Sequence, residues 1–414
     1  MRRSLVTLVV ALLAGLVGAR EARTDDLFVA GLGGKDSGND CRAAATPCKT
    51  IEWAVSQAGS GDAIKVAGGT YRDYLRIEES TTLTFSGGWA SGFATRDPAL
   101  NRTTVVPGVN PHSGGRRSTQ VIIRGSGHEP THDIIDLTID GFTLKRGKTG
   151  AVEISGQDQS SVVVRFVGTD FIRNRTGSYF PGATVSIGAK GESSVSATFS
   201  RCRFVKNTGL YVGGGISVRG SEDSTVAVAL TNSVIADNRT RARVLNAGAA
   251  GMDISVVGET AQVTVDLTNS TITRNRSRGR HAGLWFGLSG GEMITLNLKN
   301  VILWGNLPRF EGQGGDLAEG DDLPAGKLTV NADHSDLGDV RIERNTFNDL
   351  GGNLSVEPLF REPNDIHLAA SSPLIDTGTN DGAPAVDFEG DPRPADGDGD
   401  SQAITDIGAD ELVP

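Results

Sequence analysis

Five stretches of this chain lie over one another without forcing, and that internal repeat constrains the fold more than any other feature. They are GAVEISGQDQSSVVVRFVGTDFIRN (150–174), GATVSIGAKGESSVSATFSRCRFVKN (182–207), GGISVRGSEDSTVAVALTNSVIADN (214–238), GMDISVVGETAQVTVDLTNSTITRN (251–275) and GLWFGLSGGEMITLNLKNVILWGN (283–306). A weaker sixth copy passes through KLTVNADHSDLGD. Each opens on Gly, runs a short alternating strand, turns, runs a second strand and closes on an apolar-x-x-Asn motif. The closing residues Asn174, Asn207, Asn238, Asn275 and Asn306 are 33, 31, 37 and 31 residues apart. Constant strand blocks joined by turns of variable length describe a solenoid whose loops absorb insertions.

One coil cannot bury its own apolar side chains. Stacking brings Phe171, Phe204, Ile235, Ile272 and Leu303 into one interior file, with coils about 4.8 Å apart and each strand bonded to its equivalents above and below. The Asn after each apolar block is expected to take the left-handed conformation that a sharp corner needs. Stacked Asn side chains are also expected to bond along the axis, as in other in-register stacks. Three of these Asn begin Asn-Arg-Thr or Asn-Arg-Ser sequons, but the corner role accounts for all five. With 55 Gly and 5% aromatic residues, and with Val, Ile and Thr alternating against small polar residues, the composition is that of strands and turns.

FIRN, FVKN and GGGI (213–216) resemble the FxxN and GGA[ILV] repeats of polymorphic outer-membrane proteins, which are pectin-lyase-like parallel β-helices. The segment CKTIEWAVSQAGSGDAIKVAGGTY (48–71) is similar to the start of many secreted β-helix proteins. Read physically, it is a short amphipathic helix capped by Thr50, with Ile51, Ala54, Val55 and Ala58 turned inward to close the open end of the solenoid. At the other end NLSVEPLF, DIHLAASSPLIDTGTN, DFEGDPRP and DIGADE (353–411) resemble the terminal segment of the choice-of-anchor Q proteins, secreted bacterial β-helices. That group's usual sorting motif, membrane helix or barrel does not follow here, so release or non-covalent retention is the expectation. The resemblances span residues 27–411 and imply an all-β fold, a single-stranded right-handed parallel β-helix (solenoid). Its expected division is a signal peptide (1–19), an N-terminal cap (27–60), coils (61–345) and an acidic C-terminal cap (346–414).

The signal peptide rests on Arg2 and Arg3, an apolar stretch from Leu5 to Val17, and Val17-Gly18-Ala19 at the cleavage positions. The stretch is shorter than a bilayer span, so a secreted protein with no membrane span after cleavage is expected. In such a compartment Cys41 and Cys48 read as a small disulfide-closed loop, and Cys202 as a buried thiol without a partner.

Charge is distributed unevenly. Residues 140–310 carry 20 Lys and Arg against 12 Asp and Glu, whereas residues 311–414 carry 5 against 24. Around the corner Asn lie Arg173, Arg175, Lys206, Arg239, Arg241, Arg243, Arg274, Arg276, Arg278 and Arg280. Stacking would gather them into a basic strip suited to the carboxylates or sulfates of an anionic polysaccharide or cell-surface glycan. Nucleic acid is not the expected partner, because a base-stacking aromatic platform is missing. In the acidic end, Asp396, Asp398 and Asp400 alternate with Gly and Asp406 follows closely; these four are the candidate oxygen donors for Ca²⁺, and Asp321-Asp322 reads as an exposed loop. Catalysis has only isolated candidates: Asp170, Asp237 and Asp253 occur singly, and His281 is a lone base beside the Arg run. The polygalacturonase motifs NTD, a DD pair within a coil, GHG and RIK are missing. The sequence therefore points to an exported protein that binds an extracellular polymer without catalysis. A polysaccharide lyase or glycoside hydrolase of the same superfamily is the alternative, and a purely structural surface protein is the third reading.

Overall fold

The computed structural model describes residues 24–108, 119–127, 132–176, 183–210, 213–241, 248–258, 260–290, 293–309, 315–321, 324 and 327–414. The signal peptide, Arg243 and Asp322 lie outside the described residues.

Three parallel sheets wind around one core. A coil passes through them in turn, for example Val152–Gln157, Ser161–Val167 and Asp170–Ile172. We name the sheets by these strands: the third is the nine-stranded sheet of Val152–Gln157, the first the eleven-stranded sheet of Ser161–Val167, and the second the nine-stranded sheet of Asp170–Ile172. The named strands of one coil pair with those of the next in parallel, in unbroken register along the repeats, as in Val162–Val195, Val164–Ala197 and Phe166–Phe199, with one register shift between Lys65 and Ala67 near the start. The alternation of apolar and polar residues sends one face of each strand inward. The repeat length then puts like residue on like residue.

The interior files are those expected. Phe171 pairs with Phe204, Phe204 with Ile235, Ile235 with Ile272 and Ile272 with Leu303, all fully buried. The rings of Phe171 and Phe204 stack at 4.5 Å between centroids, and those of Phe166 and Phe199 at 5.1 Å.

The Asn ladder is present, but the left-handed residue is not the Asn. Positive φ falls on the preceding residue: Arg173 (54°), Lys206 (60°), Asp237 (58°), Arg274 (55°) and Gly305 (68°). The reason is geometric. Each Asn is fully or almost fully buried, and its side chain runs along the axis. The Nδ2 of Asn174 donates to Asn207 Oδ1 (3.1 Å), Asn207 to Asn238 (2.9 Å), Asn238 to Asn275 (3.0 Å) and Asn275 to Asn306 (2.8 Å). Each backbone N–H donates to the same oxygen, and each Nδ2 also reaches a carbonyl in the coil before. An inward Asn leaves the chain reversal to its neighbour. Left-handed Asn do occur at the other corner, at Asn232, Asn269 and Asn300. Buried in this way, the sequon Asn are no glycan acceptors.

Helix Ile51–Gln57 is capped as expected: Thr50 Oγ1 accepts from Trp53 N at 3.2 Å. Ile51 and Ala54 enter the core, with Val55 and Ala58 packed at its edge. Strand Asp26–Val29 already forms the outermost rung of the first sheet, so the coils begin before residue 61. Cys41 and Cys48 are disulfide-bonded, and Cys202 is buried and free, its thiol pushed up to about 12 by burial. At the far end Thr346–Asp349 is the last rung of the first sheet, and Leu354 joins the last turn beside Asp336. The chain then returns along the side of the solenoid. Leu368, Leu374, Ile375 and Ile407 cover Ile302, and Ala409 packs on Val234 and Ala236. The acidic segment is thus a strap over the second sheet as well as an end cover. Among the described residues no helix is long and apolar enough to cross a membrane.

Candidate functional site: an arginine cleft on the corner loops

Beyond each ladder Asn, the chain leaves the second sheet for the third through a loop of variable length. The first residue of these loops continues the stacking: Arg175 bridges to Thr208, Thr208 to Arg239, Arg239 to Arg276 and Arg276 to Leu307. Two residues further on stand Arg241, whose N–H donates to Gly209 O, and Arg278. Arg175, Arg239, Arg241, Arg276 and Arg278 line one open cleft of about 590 Å³, whose remaining walls are Thr208, Thr240 and Ser277. Thr240 Oγ1 donates to Ser277 Oγ at 2.8 Å, a buried hydroxyl pair. Among the described residues no acidic side chain pairs with any of these five guanidinium groups. Like charges on successive rungs repel. Guanidinium groups present forked donors whose geometry can match a carboxylate or a sulfate.

The expected strip of ten is narrower than the sequence suggested. Arg173, Lys206 and Arg274 belong to the left-handed file before the Asn and do not line the cleft. Arg274 is already engaged, lying 3.3 Å from Asp237, donating to the backbone oxygen of Asp365 at 2.8 Å and sitting 5.8 Å from the Phe360 ring centre. Arg280 is paired with Asp321.

The acidic candidates are dispersed. Asp170 is held by both nitrogens of an Arg203 fork, at 2.7 and 2.8 Å. It borders a second groove of about 460 Å³ between Arg96–Arg102, the corner at Gly141–Thr143, Arg201 and the strap residues Phe388 and Glu389. Asp237 is occupied by Arg274. Asp253 is buried on the outer side of the third sheet beneath Gly248. Its Oδ2 takes a long contact from Ser217 Oγ (3.4 Å), and among the described residues its Oδ1 has no partner. Burial pushes its carboxyl up to about 7. Trp285 is its neighbour on the next rung, and His281, also buried, stacks on Trp285 at 6.0 Å. The structure thus gathers Asp253 and His281 around one indole and leaves Asp170 and Asp237 elsewhere. Among the described residues, these candidates form no opposed carboxylate pair of the kind hydrolysis requires.

The acidic loop is rearranged relative to expectation. Asp396 and Asp398 lie within 4.8 Å of Asp376, a group that could hold a metal ion. Asp400 and Asp406 do not belong to it: Asp400 bonds Gln402, and buried Asp406 accepts N–H groups from Asp376 and Leu412. Asp376 sits twenty residues upstream and reaches the loop only through the fold of the strap. A second group, His367, Glu389 and Asp410, could also hold a metal ion and carried no signal in the sequence.

No family model matches this chain, and no curated protein matches it. Among solved structures, pectate lyase Pel9A superposes over 94% of this chain and 97% of its own, with a TM-score of 0.50 at 13% identity. The two chains share the parallel β-helix fold. XylC in complex with xylose aligns over 93% of this chain and 98% of its own at 10% identity, with a TM-score of 0.29.

Proposed function

We propose that this protein is exported and binds an anionic extracellular polysaccharide along the arginine cleft, without transforming it. The observation that carries this reading is the convergence of Arg175, Arg239, Arg241, Arg276 and Arg278 on one cleft where no described acid pairs with them. Arg239 and Arg276 stand on adjacent rungs about 4.8 Å apart, with Arg175 two rungs before Arg239, so a polymer with regular carboxylates or sulfates gains several contacts at once. Pectate lyase Pel9A makes polygalacturonate the natural first probe, with heparin as the sulfated one. Ca²⁺ at Asp376, Asp396 and Asp398, an all-oxygen set, is part of the same proposal.

The test is retention on immobilised polygalacturonate and heparin across a salt gradient. The native chain is expected to bind and to elute with salt, and R241S/R276S/R278S to lose about tenfold or more in affinity, since charge-assisted contacts are each worth about 1.5–3 kcal/mol. Retention unchanged in the triple variant removes the proposal. Release of unsaturated uronate products, with or without Ca²⁺, would replace it by the lyase reading.

A further inference from the structure

We propose that His367, Glu389 and Asp410 bind one divalent transition-metal ion of the Zn²⁺ class, at the point where three passes of the C-terminal strap meet. Their donor atoms all lie within 4.8 Å of one another, with His367 Nε2 at 2.9 Å from Glu389 Oε2. The imidazole is held in place from outside the triad. Asp365 bonds Nδ1, and the Phe388 ring lies 5.6 Å away. A carboxylate on the far nitrogen of a ligating His fixes the tautomer that leaves Nε2 free to coordinate.

Independent support comes from Asp410. It is 3% exposed, its Oδ2 accepts only the backbone N–H of Leu368 (2.8 Å), and among the described residues no side chain donates to it. A carboxylate taken out of water is costly; the charges of His367 and Arg361 nearby offset part of that cost, and a cation between it and Glu389 would supply a direct countercharge. One imidazole with two carboxylates favours Zn²⁺ and its neighbours over Ca²⁺ or Mg²⁺, which prefer all-oxygen shells. The strap has little regular structure, so an ion joining residues 367, 389 and 410 would tie its passes together. Three protein donors leave a tetrahedral ion one position short. Glu389 also borders the groove that holds Asp170 and Arg203, which puts the ion at that groove's rim.

The experiment uses the full mature chain, stripped with chelator and titrated with ZnCl₂ by calorimetry, with Co²⁺ absorption as a second readout. One equivalent of Zn²⁺ is expected to bind and raise the melting temperature, and Co²⁺ to give the visible bands of a low-coordinate site. E389Q, at an exposed position that leaves folding intact, should abolish the Co²⁺ bands, and D365N should weaken Zn²⁺ by about ten- to a hundredfold, as loss of an outer partner does. D396N/D398N should bind Zn²⁺ as the native chain does. Failure of Zn²⁺ to bind, equal binding by E389Q, or preference for Ca²⁺ over Zn²⁺ overturns the proposal. None of these outcomes bears on retention by polygalacturonate, so the two proposals fail separately.

Discussion

The coils between residues 150 and 306 and the strap between 353 and 414 are stabilised by opposite means. In the coils the core contacts come in series. Phe171 and Phe204, or Asn174 and Asn207, do the same task one rung apart, and a defect at one level is flanked by intact levels. In the strap the contacts are single. Asp387 Oδ1 alone accepts the N–H groups of Glu389, Gly390 and Asp391, and Arg393 and Glu411 form a wholly buried ion pair at 2.9 Å. Repetition distributes stability along an axis, whereas the strap concentrates it in a few polar groups that must all be satisfied.

The sharpest way to break that comparison is R393A. It leaves Glu411 buried without its countercharge and should cost about 3–5 kcal/mol. The loss should be confined to the strap, read as rapid proteolytic cutting between residues 353 and 414 while the β-sheet circular dichroism persists. Cooperative loss of the coils together with the strap would show that the two regions are one unit. N207A comes next. Removing one ladder amide leaves Asn174 N–H and the Phe171 carbonyl unpaired in the core, and should cost about 2–4 kcal/mol by the usual penalty for such groups. Hydrogen exchange should rise at neighbouring rungs and fade with distance along the axis; an effect confined to residue 207 would contradict the series picture.

D253N probes a coil position that behaves like the strap. The Asp253 carboxyl titrates near 7 when folded, above its ordinary value of 3.8. A raised folded value favours the protonated native state, so this residue's contribution to stability is complete below about pH 4 and is lost as pH rises through 7. The Asn variant should therefore gain on the native protein by about 1–3 kcal/mol between pH 5 and pH 8, the range for an unsatisfied buried polar group. Thermal melts at both values decide it, and a difference independent of pH refutes it. The smallest expected effect is at the corners. Lys206 holds φ at 60°, a conformation that costs an L-residue about 1 kcal/mol, so K206G should stabilise by at most that amount in urea unfolding.

The coils were legible because their information is local and repeated. Period, strand alternation and the file from Phe171 to Leu303 could all be read from residues within one copy and its neighbours. Thr50 as a cap and the pairing of Cys41 with Cys48 were legible for the same reason, since their partners are close in sequence. The corner was misplaced by one residue. Asn tolerates the left-handed region, but here its amide serves the buried ladder, and the turn passes to Arg173, Lys206 and Arg274. That shift also divides the basic strip, because residues on either side of the Asn belong to different files. What the strap does was hidden altogether. Arg274 meets Asp365, 91 residues away, and Asp376 meets Asp396 and Asp398, through a fold that no repeat encodes.

The amide ladder has a direction. It begins where Asn174 Oδ1 accepts the N–H of Gly147, and each member hands its protons onward until Asn306 gives them to Asp316, an acceptor that has none to pass on. Gene duplication can therefore add a storey anywhere before that carboxylate, because each inserted Asn receives from below and gives above. Beyond Asp316 an added Asn would find no giver beneath it, and the rungs that do follow, Leu328–Asp333 and Thr346–Asp349, stack without that amide.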